Sequence, residues 1–218
     1  MKVKGIIAVA LALAAAAVMT VGFAACGDDL PEGFSEYVME AEYVVGIENV
    51  QGAGMSSNQS GYDLIYGDGT DAQKELGWSE GYYVGYTYSP NFSMDFKFTA
   101  DKAGTATIVL RLGSEIGDIT LTPDEFEITL NGTSLQYGSI FVECGAANDM
   151  SKMTFSDKTI TSSEQLRAGE NTLNISVHAN ELRGGQTGGP AIDCVKITTD
   201  AKLDCPQNKD NPSKRGGI

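Results

Sequence analysis

Period-two alternation constrains this chain more than any other feature. FSMDFKF sets Phe92, Met94, Phe96 and Phe98 against Ser93, Asp95 and Lys97. TATIVLRL sets Ala106, Ile108, Leu110 and Leu112 inward in the same way. EFEITL opposes Phe126, Ile128 and Leu130 to Glu125, Glu127 and Thr129, and NTLNISVH opposes Leu173, Ile175 and Val177 to Asn174 and Ser176. Successive side chains of a strand point to opposite faces, so each stretch predicts a strand with one buried face. Turn-forming stretches separate them: ADKAGT, TPDE, NGT, RAGEN and RGGQTGGP. After residue 25 no stretch carries three turns of helical pattern, and TDAQKELG (70–77) suits one short helical turn. Many short antiparallel strands at this spacing predict an all-β fold, a β-sandwich or jelly roll.

The N-terminus reads differently. Lys2 and Lys4 precede an apolar or small run that ends in Phe23-Ala24-Ala25-Cys26. A positive start, an apolar middle and small residues before a cleavage point make an export signal. Cysteine directly after them resembles a bacterial lipoprotein signal, with Phe23 where that motif usually has Leu. The resemblance implies Cys26 as the lipidated first residue and a protein held to the bacterial cell surface by that lipid alone. A plain anchor or an uncleaved signal is the alternative. On this reading residues 1–25 are the signal and 26–36 (CGDDLPEGFSE) a tether. Residues 37–203 form the domain and 204–218 a polar tail.

Removing residues 1–25 takes 15 basic residues to 13 against 29 acids, a formal charge of −16. Such a chain is a poor partner for nucleic acid or for anionic headgroups, and suits a neutral ligand or a cation. Besides Cys26 it has Cys144, Cys194 and Cys205, an odd number that allows at most one intrachain disulfide. Cys194–Cys205 needs the shortest return. None of the cysteines has zinc-ligand spacing.

A catalytic constellation is hard to find. The lone histidine, His178, lies in a strand pattern, and no GxSxG, HExxH or Cys/His pairing is present. Acids suffice for glycoside hydrolysis, but the Glu-x-Asp-x-x-Glu spacing of some β-sandwich glucanases is missing. The loop-like stretch Gln51–Trp78 is long and rich in Gly, Ser, Asn and Asp, as functional loops often are.

YVMEAEYVV (37–45) carries an electrostatic problem. Read with period two, Glu40 and Glu42 share a face with Val38 and Val44. Like charges so placed repel and are costly to bury. Asp193 in GGPAIDCVKI shares a face with Val195 and Ile197 on the same reading and needs a partner too. If the first and last strands are neighbours, Glu40, Glu42 and Asp193 could hold one Ca²⁺, since hard oxygen ligands favour calcium over zinc. Three carboxylates and a divalent ion stay negative by about one charge, which carbonyls and water can accompany. Facing solvent is the alternative.

Several pieces appear in order: EAE, GYYVGYT (81–87), KAGTATIVLRLGS (102–114), LNG (130–132), LRAGENTLNISV (166–177) and GGPAIDCVKI (188–197). Together they resemble carbohydrate-binding modules of families 6 and 35 over about residues 37–200. The resemblance implies a galactose-binding-like jelly roll. It also implies a structural calcium joining the N-terminal Glu-Ala-Glu to the last-strand Asp, that is Glu40, Glu42 and Asp193. The implied ligand is a polysaccharide or oligosaccharide. Two family contributors are missing here. Ala191 stands where an Asn often precedes the last-strand motif, and ECGAANDMSKMTF has no Trp or Tyr, only Phe155.

Sugars stack on aromatic faces and are fixed by polar side chains. The candidates left are Trp78, Tyr82, Tyr83, Asn180 and Arg183. Most have a structural alternative: Trp78 as a core plug, one of the adjacent tyrosines as core, Arg183 as an ion-pair partner. The resemblance thus implies non-catalytic carbohydrate binding. An adhesion or assembly module for protein is the second reading, and a small polysaccharide-active enzyme the third.

Overall fold

The structure, a computed structural model, describes residues 30–43, 47–48, 65–66, 71–79, 83–85, 87, 92–114, 117–147, 149, 152–178 and 190–206. The strands are β1 (Ser35–Glu40), β2 (Ile47–Glu48), β3 (Ile65–Tyr66), β4 (Tyr83–Val84), β5 (Ser93–Ala100), β6 (Gly104–Ser114) and β7 (Ile119–Leu121). They continue with β8 (Phe126–Leu130), β9 (Thr133–Ser134), β10 (Ile140–Val142), β11 (Ser156–Leu166), β12 (Gly169–Val177), β13 (Pro190–Thr199) and β14 (Leu203–Asp204). One short helix, α1 (Asp71–Glu75), lies where TDAQKELG predicts it. Among the described residues no helix is long and apolar enough to cross a membrane. Cys26 and the signal lie outside the described residues.

Two antiparallel sheets face each other. One runs β11-β6-β13-β4-β3, with β1 also on β13, and the other β14-β5-β12-β8-β9, with β2 on β5. β7 and β10 form a separate pair. Along the chain β5, β8, β12 and β14 of one sheet alternate with β6, β11 and β13 of the other. This crossing back and forth winds the sandwich as a jelly roll. The alternating residues fill the space between: Phe96, Ile108, Leu110, Phe126, Ile128 and Leu173 are all fully buried. At about 25 cal/mol per Å² of apolar area, this shared interior is the main source of stability.

Two turns explain motifs that stood out in the sequence. Asn131 and Gly132 both take positive φ (55° and 79°) and close the β8–β9 hairpin, the geometry a two-residue turn needs. Asn171, of RAGEN, is only 1% exposed. Its Oδ1 accepts from the Arg167 N–H at 3.0 Å and from Asn131 Nδ2 at 2.9 Å. Its Nδ2 donates to the carbonyls of Arg167 at 2.8 Å and Gly169 at 3.0 Å. This one buried amide satisfies the turn between β11 and β12.

The first strand and the last long strand meet as the acidic residues suggested. β1 lies antiparallel along β13, from Ser35 opposite Thr199 to Glu40 opposite Cys194. It begins just ahead of residue 37, so the end of the tether segment is already strand. β13 changes neighbours on that edge: β4 takes over at Ile192, opposite Val84. On its other edge β13 runs along β6, with a register shift between Ile192 and Cys194. Asp193 is therefore passed over by all three ladders. The bulge breaks the period-two pattern. Ile192, Val195 and Ile197 all join the core, and Asp193 does not share their side as straight alternation suggested.

Candidate metal centre and the aromatic cluster beside it

Glu40 ends β1 on the face opposite Met39, and register sets it across from Cys194. The bulge delivers Asp193 to the same place. One carboxylate oxygen each from Glu40 and Asp193 and the Cys194 sulfur all lie within 4.8 Å of one another, and all three side chains are buried. Glu42 is fully buried too but stands outside this group. The strand stops at Glu40, and Ala41–Tyr43 form a 3-10 turn packed on β13 and β4. Glu40 and Glu42 are thus not strand neighbours on one face. Of the three acids singled out in the sequence, Glu40 and Asp193 come together here, beside Cys194, which the sequence reading did not single out.

A four-residue strap covers the junction. The Ser79 N–H donates to both oxygens of Asp193, at 3.2 and 3.1 Å, and its hydroxyl donates to Glu40 Oε2. The Trp78 indole N–H donates to the Met153 carbonyl at 2.6 Å. The Gly77 carbonyl accepts from Arg111 Nη1 at 3.2 Å, and the Leu76 carbonyl accepts from the Phe155 N–H at 3.0 Å. Gly77 has φ +91°, and a Cβ there would sit 2.5 Å from the Phe155 carbonyl oxygen, so glycine is required. Arg111 stands opposite Cys194 in the β6–β13 ladder and is held by Asp157, at 2.7 Å from Nε and 3.3 Å from Nη2. Lys196 Nζ joins the same carboxylate at 2.7 Å.

The electrostatics follow from burial. Loss of water pushes the Asp193 carboxyl up to about 6, against the bonds from Ser79 and the charge of Arg111. Burial, with Asp193 and Glu40 beside it, pushes the Cys194 thiol far up. Two carboxylates and a sulfur gathered from β1 and β13 in a buried place are donors that suit a divalent cation.

The expected sugar platforms are elsewhere. Trp78 is 3% exposed and Tyr83 is fully buried. With Phe155 they form a closed cluster, with centroids at 5.1 Å (Trp78–Tyr83), 5.5 Å (Trp78–Phe155) and 5.3 Å (Tyr83–Phe155). Edge-to-face packing and a satisfied indole N–H make burial the favourable state of this tryptophan. Trp78 and Tyr83 are a core plug, not a stacking surface. Ala191 is buried in the same cluster. Tyr82, Asn180 and Arg183 lie outside the described residues. The aromatic ring open to solvent among the described residues is Phe141, 54% exposed on β10. His178 Nε2 donates to Glu127 Oε2, 2.7 Å away, and the Ser176 hydroxyl lies 3.3 Å from the same ring nitrogen, so it serves a surface pair. Cys144, Cys194 and Cys205 are all unbridged, and the Cys194–Cys205 pairing is not made.

No protein-family model matches the chain, and neither does any curated protein sequence. Solved structures are similar. The GH26-CBM35 β-(1,4)-mannanase of Podospora anserina is 18% identical over 78% of this chain, which spans 28% of that one, with a TM-score of 0.45. CBM35 from Paenibacillus barcinonensis is 20% identical over 74% of this chain and 97% of its own, with a TM-score of 0.46. A CBM36 module in complex with calcium and xylotriose is 12% identical over 74% of this chain and 98% of its own, with a TM-score of 0.43.

Proposed function

We propose that this chain is a non-catalytic carbohydrate-binding module of an exported, lipid-anchored bacterial protein, with a structural calcium that joins its first and last long strands. The observation that carries the reading is the Glu40–Asp193 junction. The ordered motifs resembling the family 6 and 35 modules call for acids at these two positions, and β1 and β13 pair so that the two carboxylates meet. Both acids fit a hard cation, and Glu42, fully buried on the adjoining turn, is the next oxygen donor in sequence. With Trp78 and Tyr83 inside, sugar contact falls to Tyr82, Asn180 and Arg183, in the segments that precede β4 and β13.

A glycan array and affinity electrophoresis on the mature chain test the reading. Xylotriose, bound in the similar CBM36 structure, and glucuronic-acid-containing oligosaccharides are the first probes. Retention on a defined polysaccharide without release of reducing sugar is the expected result. Retention on none overturns carbohydrate binding, and reducing-sugar release moves the protein to the enzymes.

One observation favours the second reading, an adhesion or assembly module for protein. Ala191 stands at the position where the family often has a binding Asn, and it is sealed in the Trp78–Tyr83–Phe155 cluster. Capture of a protein partner by a chain that binds no glycan would establish this alternative.

A further inference from the structure

The third donor at the strand junction is a sulfur. Calcium takes six to eight oxygens and has no use for a thiol, whereas zinc-class cations accept mixed carboxylate and thiolate sets and close with as few as four ligands. Cys194 sits in mid-strand, fully buried, with Glu40 of β1 opposite it on one side and Arg111 of β6 on the other. Asp193 beside it is passed over by every ladder and pinned by Ser79, so three donors on paired strands are already gathered. Donors on rigid elements need little reorganisation to close on an ion.

We propose that Cys194 gives this junction a second metal specificity: a thiophilic divalent cation binds Glu40, Asp193 and the Cys194 thiolate, in competition with calcium for the two shared carboxylates. As the metal–sulfur bond forms, the thiol proton leaves to solvent. Two carboxylates and a thiolate then face a divalent ion, and the Arg111 guanidinium opposite Cys194 offsets the remaining negative charge. The fourth position is open to water or to the Ser79 hydroxyl, which already reaches Glu40. The inference rests on the metal part of the proposed function and is independent of the sugar part.

Cobalt(II) is the probe, because a thiolate ligand gives it a charge-transfer absorption that oxygen ligands do not. The mature chain carrying Cys26→Ser, Cys144→Ser and Cys205→Ser, with Cys194 as its one remaining cysteine, is titrated with Co²⁺. One equivalent is expected to produce the band, and Zn²⁺ to bleach it. Adding Cys194→Ser should abolish the band and weaken Zn²⁺ binding by about 100-fold or more, while Ca²⁺ binding changes by less than about threefold. Asp193→Asn, which keeps the thiol, should weaken Co²⁺ by at least about tenfold. It decides the matter if Cys194→Ser does not fold. A titration with no band, or a band that survives Cys194→Ser, overturns the proposal. Co²⁺ affinity unchanged by Asp193→Asn does so too. Retention on glycans, read on the same samples, fails or succeeds separately.

Discussion

Ser79 and Asp193 are 114 residues apart, yet the Ser79 N–H donates to both oxygens of the Asp193 carboxylate, at 3.2 and 3.1 Å. One backbone amide thus ties the strap after α1 to the residue at which β13 exchanges β1 for β4. A cation bound here joins three parts of the chain: the end of β1, the strap and the bulge. Its removal should be felt by the whole sandwich. At a metal concentration a hundredfold above the dissociation constant, binding contributes about 2.7 kcal/mol. For a domain of this size that is roughly 5–10 °C in melting temperature. Chelation should therefore lower the melting temperature by several degrees, as followed by calorimetry. Asp193→Ala should start lower and show no further drop with chelator. Equal melting curves with and without chelator would remove the metal from the fold.

Trp78 tests what the aromatic cluster does. Truncation to Ala empties a large buried volume and strips the Met153 carbonyl of its donor. The expected cost is about 3–5 kcal/mol, read from denaturant midpoints. Trp78→Phe keeps a ring between Tyr83 and Phe155 and should cost less. Its glycan retention per folded molecule should match the parent. A stable Trp78→Phe protein that loses retention would put the indole back at the ligand.

Asn171 carries a turn rather than a ligand. Asn171→Ala leaves the Arg167 N–H and the carbonyls of Arg167 and Gly169 without the amide that satisfies them. Buried polar groups left unmet make this one of the more damaging surface-proximal changes, at roughly 2–4 kcal/mol. The midpoint of urea unfolding should fall with its slope unchanged, and retention on any bound glycan should persist at temperatures where the variant is folded.

The sandwich was legible wherever burial is one-sided. β5, β6, β8 and β12 each pack one face on the core, and hydrophobicity alternates accordingly. β11 escaped because it is the outer strand of its sheet. Of its eleven residues only Ile160 and Leu166 are buried, and register shifts at Thr159/Thr161 and Thr161/Glu164 break what pattern is left. The acidic junction was half legible. Acid spacing and the pairing of chain ends point to Glu40 and Asp193. Period two fails locally at both ends of the site, through the 3-10 turn after Glu40 and the bulge at Asp193. Cys194 could have been found from the register, since it pairs with Glu40. Ligand spacing along the sequence does not reveal a thiol that meets its partners across strands. Trp78 and Tyr83 were ambiguous for a different reason: an aromatic beside glycines is equally a platform or a plug until its neighbours in space, here Met153 and Phe155, are known.

Asp157 supplies the acid response. Burial acts to raise its carboxyl, but the bonds from Arg111 and Lys196 outweigh that and hold it below the ordinary carboxylate range. A carboxylate whose folded value lies below its unfolded one, about 3.9, contributes stability above that unfolded value. The contribution disappears as pH falls through the folded value. Because Asp157 is 42% exposed, solvent screening limits it to about 1 kcal/mol or less. Asp157→Asn should therefore melt below the parent at pH 7. The gap should stay constant down to about pH 5, then close as pH falls through 4 and below. Melting temperatures of the two proteins in chelator-containing buffers across pH 7 to 3 measure it. A gap that widened in acid would mean that Asp157 is protonated more easily in the fold than out of it, and that the pair with Arg111 and Lys196 does not hold its charge.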